Sequence, residues 1–436
     1  MKLFDNFYNM KVGIVDLATS SSETVSLNKE MAAGKTGGSA INENLFKKYE
    51  EDAPLVIGVG PLTGSFAPAS CLAVATFSSP RFGENLCHIP LMMHTGPGMK
   101  FSGIDFLVIR GIASSPTLLN IERGRVRILS AEHLVGVDIP ESVRLLKREM
   151  THCRSILLPG PAAENGVHCA SLSTGLSGSL DKGGLALSMA SKNLKGIIFC
   201  GTGGLAFNEG NRDYNETIEK RLFPGKEHKN EGFLSMLDVI GIENDLRNIV
   251  KKATWHNMAC YHCPSPCMSS VGFKWRDPGN NSRVEDTLFL SDHLGFLALA
   301  KKRGAGAFPL SKSCHRFGLD PAAVADALPE SGSLVESLDT VEKISTAREE
   351  TEIDGNSEWS GEISAKTYEL FGGGIPPIVP GELWEERVRL SMILGVCPIF
   401  LLRFPQISQR DLLRFLTGNE ADLQLLEQEI DSIAEK

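Results

Sequence analysis

Three cysteines fall within eight residues at Cys260-Tyr261-His262-Cys263-Pro264-Ser265-Pro266-Cys267. A loop this short cannot spread three thiols, so the surrounding fold has to accommodate them together. Thiolates are natural ligands of iron–sulfur clusters, and two prolines stiffen a loop that can hold three of them at the corners of a cubane, backbone N–H groups facing the sulfides. A Cys₃His zinc site completed by His256 or His262 fits the same spacing. Three packed cysteines in a proline-rich loop are the bland alternative.

A [4Fe–4S] site needs one more, distant cysteine. Cys314 and Cys397 follow the triplet. Cys397 lies in Leu394-Gly395-Val396-Cys397-Pro398 after a helix-like apolar stretch, where Gly395 would let the backbone approach something bulky. Cys397 is therefore the expected fourth ligand, and Cys314, beside His315, is placed at a helix-flanking surface turn. Cys71, Cys87, Cys153, Cys169 and Cys200 read as small buried hydrophobes.

Composition narrows the classes. Glycine, 43 of 436 residues, exceeds the usual share of about 7% and points to tight turns or to loops pressed against a ligand. The net charge is −9 and basic runs are no longer than Lys301-Lys302-Arg303, which argues against nucleic-acid binding. The longest apolar stretch, Leu390 to Leu402, is shorter than the roughly 20 residues of a membrane span. The start, Met1-Lys2-Leu3-Phe4-Asp5-Asn6, has no signal-peptide apolar region. A cytoplasmic protein with free or metal-bound thiols is expected.

Short apolar or β-branched runs at Val12–Leu17, Leu55–Gly60, Leu72–Phe77, Phe106–Arg110, Val126–Leu129, Ser155–Leu158 and Gly196–Cys200 read as strands. The pattern predicts a β-rich domain over 1–210 and a mainly helical part over 211–436, with Asp320-Pro321 opening a helix through Leu328. Leu334–Ser360 and Gly372-Gly373-Gly374-Ile375-Pro376-Pro377 read as linkers, and Leu423, Leu426, Ile430 and Ile433 as one face of a terminal helix capped by Asn419. Three familiar motifs fail. Gly34-Lys35-Thr36 has Lys29 where a P-loop needs glycine, Gly58–Gly64 has one residue too many for a dinucleotide fingerprint, and Gly175–Ser179 lacks the last glycine of a nucleophile elbow.

Other segments then align in order: Val15-Asp16-Leu17, Gly60-Pro61-Leu62-Thr63-Gly64 with Ala67-Pro68, Gly96-Pro97-Gly98-Met99-Lys100-Phe101-Ser102-Gly103, Gly160-Pro161-Ala162-Ala163-Glu164-Asn165, Gly183-Gly184-Leu185 through Lys195, and Leu416-Thr417-Gly418. With Cys260, Cys263, Cys267 and Cys397 in the spacing C-x-x-C-x-x-x-C plus a distant G-[LVI]-C, the chain resembles the tungsten-dependent aldehyde ferredoxin oxidoreductase family.

The resemblance implies an α+β fold: a two-sheet N-terminal base for a tungsten (or molybdenum) bis-pterin cofactor, covered by helical domains carrying the [4Fe–4S] ligands. It implies aldehyde oxidation with ferredoxin or another redox protein as electron partner, in a homo- or hetero-oligomer. Lys182, Gly183, Gly184, Asp292, Gly295 and Gly395 are the expected cofactor-binding positions, and Glu285, in Val284-Glu285-Asp286-Thr287, the expected catalytic carboxylate.

Several positions depart from the family pattern. Leu72 stands where an arginine meets a pterin phosphate, and Pro90-Leu91-Met92-Met93 replaces the N-S-G-G segment near the metal ion that bridges the pterins. Lys182 replaces an arginine, and Met392 an aspartate of the second pterin motif. Asp292 follows the acidic segment too soon, and the helical region that brings an active-site histidine is not matched. Three readings follow: an active pterin oxidoreductase, a catalytically degenerate relative serving as a cluster-bearing electron relay or partner subunit, and a zinc-stapled scaffold.

Overall fold

A computed structural model describes residues 7–150, 152–178, 181–204, 209–223, 244–277, 281–347, 381–416 and 423–424. The architecture is α+β, with two mixed six-stranded sheets followed by mostly helical structure. The first sheet contains β1 (Lys11–Asp16), β2 (Ser21–Ser26), β3 (Leu55–Val59), β4 (Ala73–Ser78), β5 (Leu86–Leu91) and β6 (Phe106–Arg110), in the order β2-β1-β6-β3-β4-β5. The second contains β7 (Thr117–Glu122), β8 (Arg125–Ser130), β9 (Cys153–Pro159), β10 (Leu172–Thr174), β11 (Ser177–Gly178) and β12 (Leu194–Cys200), in the order β11-β10-β9-β12-β7-β8. One parallel pair lies inside each, β1 with β6 and β12 with β7.

The inner strands explain which runs were legible. β3 and β12 are buried at every residue, so β3 and the Gly196–Cys200 part of β12 read as continuous apolar stretches. Along β12 the faces nonetheless divide: Ile197 and Phe199 join the main core, while Ile198 and Cys200 pack with Ile139, Val143 and Leu146 of the Ile139–Glu149 helix. The Thr95–Phe101 helix sits between the sheets, touching β3 and β4 on one side and β9 and β12 on the other. Gly98 permits this, since a Cβ there would lie 3.2 Å from Ser155 Cβ.

The second half is not purely helical. It contains an antiparallel sheet of β13 (Thr254–Met258), β14 (Met268–Arg276) and β15 (Arg283–Leu290). Its strands carry Lys, Arg, Glu and Asp on their outer positions, which hides them from a search for apolar runs. The Pro321–Ala327 helix forms as expected, with the Asp320 carboxylate accepting from Ala322 N–H. Leu334–Thr346, expected as linker, is a helix with a Ser333/Glu336 capping box that buries Val341 and Ile344. The Gly372–Pro377 turn, Asn419 and all of the terminal stripe except Leu423 lie outside the described residues. One continuous buried core runs from β1 through Phe296 and Phe308 to Leu394 and Leu413. No helix among the described residues is long and apolar enough to cross a membrane.

Candidate metal centre

The cysteine loop closes a hairpin. β13 and β14 pair antiparallel down to Met258 opposite Met268, so Cys260 and Cys267 leave adjacent strand ends and the loop must fold back within a few residues. Cys263 N–H donates to the Cys260 carbonyl at 3.1 Å, His262 takes φ +52°, and Pro264, Ser265 and Pro266 are buried. Cys260 is buried, Cys263 and Cys267 half-buried.

Cys397 comes from the turn between two helices, Gly381–Leu394 and Pro398–Arg403, and is 4% exposed. The two cysteine-bearing segments are joined by a third. Ala69 donates its N–H to the His262 carbonyl at 2.8 Å and accepts from Cys397 N–H at 2.9 Å, and Leu72 N–H donates to the Gly395 carbonyl at 3.2 Å. Segment 69–72 thereby threads between the hairpin loop and the Cys397 turn and carries Cys71 into the group. Cys71 is buried in the main core, as expected, and lies beside the other thiols, Cys260 and Cys397 together with burial pushing its pKa up. Two thioethers complete the sulfur lining, Met93 Sδ 3.8 Å from Cys260 Sγ and Met92 Sδ 3.9 Å from Cys397 Sγ.

Hydrogen bonding to Cys260 and Cys397, followed by burial, pushes the Cys71 thiol up, and burial does the same to Cys263 and Cys267. The Cys397 thiol is held below the usual range, first by the Cys71 hydrogen bond and then, against burial, by the N–H groups of Phe400 and Ile399. Arg403 favours the thiolates of Cys263 and Cys267. Among the described residues no group of three or more His, Cys, Asp or Glu side chains is placed to hold a metal ion. His256 is exposed on β13, and Cys314, expected at a surface turn, is fully buried within the Ala307–Phe317 helix.

The supporting loop is equally defined. Lys100, 1% exposed, donates through Nζ to the carbonyls of Gly60, Pro61 and Thr63 at 3.0, 2.9 and 3.0 Å and lies 4.8 Å from the Tyr8 ring centroid. Burial lowers its pKa to about 7, against the pull of Asp105. Gly395, at φ +88°, fits this loop: a Cβ would lie 2.0 Å from Thr63 Oγ1 and 3.1 Å from Gly60 Cα. The close approach expected toward a cofactor is made to the chain itself.

The other expected cofactor positions follow the same rule. Lys182 Nζ contacts Asp292 Oδ2 at 2.9 Å and Asp320 Oδ1 at 2.6 Å, with all three side chains largely buried. Burial pushes the Lys182 ammonium down, but the two carboxylates more than reverse this, and Asp292 is lowered despite its burial. Gly183 faces Cys87 and Ile89, Gly184 faces Arg81, and Gly295 packs on Asp292 and Pro321. Asp292 also caps its own helix, accepting from Gly295 N–H at 2.9 Å. Glu285 sits on β15 opposite Lys274, 2.6 Å from its ammonium and 68% exposed, as a surface ladder pair. Lys182, Gly183, Gly184, Gly295 and Gly395 thus contact protein, and Cys71, Cys260, Cys263, Cys267 and Cys397 lie as neighbours.

Residues 12–201 match the aldehyde ferredoxin oxidoreductase N-terminal domain. The tungsten-containing aldehyde ferredoxin oxidoreductase of Pyrococcus horikoshii is 25% identical over 319 residues, covering 66% of this chain and 51% of that protein. Its Thermococcus kodakarensis counterpart is 24% identical over 315 residues, covering 65% and 50%. The WOR-like subunit of the aliphatic sulfonate oxidoreductase of Pyrococcus furiosus is 29% identical over 222 residues, covering 45% of this chain and 35% of that one. The active site complex BamBC of benzoyl coenzyme A reductase has a similar fold, with TM-score 0.64 at 19% identity over 79% of this chain and 61% of that chain. These matches support a divergent relative of the aldehyde ferredoxin oxidoreductases, whose N-terminal domain residues 12–201 match. The chain spans about half the length of the tungsten-containing relatives from P. horikoshii and T. kodakarensis.

Proposed function

We propose that this chain is a redox subunit of an oxidoreductase of this family, holding one [4Fe–4S] cluster on Cys260, Cys263, Cys267 and Cys397. Its task is to relay single electrons to or from a partner such as a ferredoxin. The observation that carries this reading over an active pterin enzyme is the Lys182–Asp292–Asp320 ion set, in which the expected cofactor contacts neutralise each other. Leu72 and Met92–Met93, at positions the family gives to polar cofactor contacts, face the cysteine pocket or the core instead. The name of the P. furiosus relative, a WOR-like subunit, supports a place within an assembly.

A bound cluster supplies one-electron chemistry. The chain's own residues bury it, brace the ligand turns through Ala69 and Lys100, and leave Cys263 and Cys267 nearest the surface. Anaerobic purification and metal analysis test this. About four irons per chain with a reduced-cluster EPR signal, both abolished by Cys263→Ala, are expected. Tungsten or molybdenum at near stoichiometry would establish the pterin enzyme instead, and zinc without iron the stapled scaffold.

A further inference from the structure

We propose that Cys153 and Cys200 form a reversible disulfide across two strands of the second sheet, a peroxide-sensitive clamp where β9 begins and β12 ends. The pair packs in the smaller core against the Ile139–Glu149 helix, whereas Cys71, Cys260 and Cys397 belong to the main core, so the inference stands apart from the cluster reading.

Strand register brings the two cysteines together. β9 and β12 run antiparallel, with Leu157, Ile156 and Ser155 opposite Ile197, Ile198 and Phe199, and then Cys153 opposite Cys200. The count skips Arg154, so a β-bulge separates the last two pairs. That bulge decides which way Cys153 points. In a regular ladder Arg154 would oppose Cys200, and Cys153 would share the face of Ser155. Instead Ser155 and Arg154 both turn toward the Thr95–Phe101 helix, where a Cβ on Gly98 would lie 3.2 and 3.4 Å from their Cβ atoms. Ser155 Oγ is 3.1 Å from Thr95 Oγ1, and Arg154 Nε donates to the Gly201 carbonyl at 3.0 Å. Cys153 is thereby turned to the opposite face, where it packs in one cluster with Ile156, Ile198 and Cys200.

Directly opposite residues of an antiparallel pair have Cα atoms about 4.5–5.5 Å apart, within the range of about 4.4–6.8 Å that a disulfide spans. Both thiols are free, Cys200 buried and Cys153 half-buried. Cys153 Sγ makes a long contact of 3.9 Å with the Ser155 carbonyl oxygen, a weak hold on a thiol that has to turn. The pair also shares a proton: Cys153 is pushed up and Cys200 held down, each chiefly by the other. Hydrogen peroxide transfers one oxygen atom to one sulfur, giving a sulfenic acid and a water. The second thiol attacks that sulfur, so the S–S bond forms, the S–O bond breaks, and the hydroxyl leaves with the second thiol's proton as another water. The pair gives up two electrons and the peroxide takes them.

The bond would fasten a packed exit. After Cys200, a Cβ on Gly201 would lie 2.3 Å from the Phe101 carbonyl oxygen, and Gly203 N–H donates to the same carbonyl at 3.1 Å. The Phe101 ring meets Tyr261 of the cysteine hairpin edge-on, with centroids 6.0 Å apart.

The test exposes full-length chain, purified without oxygen, to hydrogen peroxide, blocks the remaining thiols with N-ethylmaleimide and maps the peptides without reductant. A Cys153–Cys200 linked peptide is expected, lost on treatment with dithiothreitol, with Cys87 and Cys169 recovered as maleimide adducts. Equally treated, wild type should unfold at higher urea than Cys153→Ser, because the cross-link restricts the unfolded chain, and should lose that margin in dithiothreitol. Cys153 and Cys200 recovered as maleimide adducts or as sulfinic acids, with no linked peptide, overturn the proposal. So does a linked peptide that forms only in urea, or one that pairs Cys153 with a different cysteine. A urea margin that is missing, or that dithiothreitol leaves in place, overturns the clamp.

Discussion

Replacing Lys182 by methionine removes the ammonium from between Asp292 and Asp320 while keeping most of the side chain's length. The three side chains are 13%, 8% and 9% exposed, so water has little access to replace the lost cation. Breaking a buried ion pair by deleting one partner costs about 3–5 kcal/mol. Two carboxylates lose their partner here, which pushes the cost up, while Asp292 keeps the Gly295 N–H and Asp320 keeps the Ala322 N–H, which pushes it down. A loss of about 4 kcal/mol is expected, several hundredfold in the folded-to-unfolded ratio. Urea unfolding of the anaerobic chain, followed by circular dichroism and tryptophan fluorescence, measures it. The triple variant Lys182→Met, Asp292→Asn, Asp320→Asn should regain most of the loss, because neutralising a whole buried ion set costs far less than orphaning part of it. A loss below about 1 kcal/mol in Lys182→Met would refute the argument. So would unchanged stability of the metal-free chain together with loss of tungsten, the pattern of a lysine held in reserve for a cofactor.

Three further outcomes follow. Gly395→Ala should destabilise the chain by about 2–3 kcal/mol and lower its iron content, because the added carbon strikes Thr63 Oγ1 and shifts the turn that carries Cys397; indifference of the metal-free chain would show space kept for a ligand. Burial holds His293 and His315 at about 4. Between pH 6.5 and 4 the unfolded chain therefore binds protons that the native chain refuses, so the stability is complete above pH 6.5 and is lost as pH falls, by about 3 kcal/mol per histidine. Urea midpoints should drop from pH 7 to pH 5 and drop less in His315→Gln; a flat profile sinks the assignment. Glu285→Gln should leave urea midpoint, iron content and midpoint potential unchanged, as fits an exposed ladder pair with Lys274; a loss of turnover in an assembled enzyme would return Glu285 to catalysis.

The β-rich start was legible in the sequence, because buried strands give apolar runs such as Phe106–Ile109 and Gly196–Cys200, and so were the hairpin cysteines, because three thiols within eight residues stand out. Sequence alone could not find β13–β15, whose polar outer positions interrupt the pattern, nor the Leu334–Thr346 helix, whose buried residues are outnumbered by its exposed ones. Cys71 was invisible for a different reason. Nothing local distinguishes it from Cys87 or Cys169; only the threading of segment 69–72 between two turns nearly two hundred and more than three hundred residues away brings it against Cys260 and Cys397. Tertiary structure likewise decided what the glycines and Lys182 are for. A glycine records that something comes close, and a buried lysine that something opposes its charge, but only the folded chain shows that the neighbour is Thr63 and the counter-charges are Asp292 and Asp320.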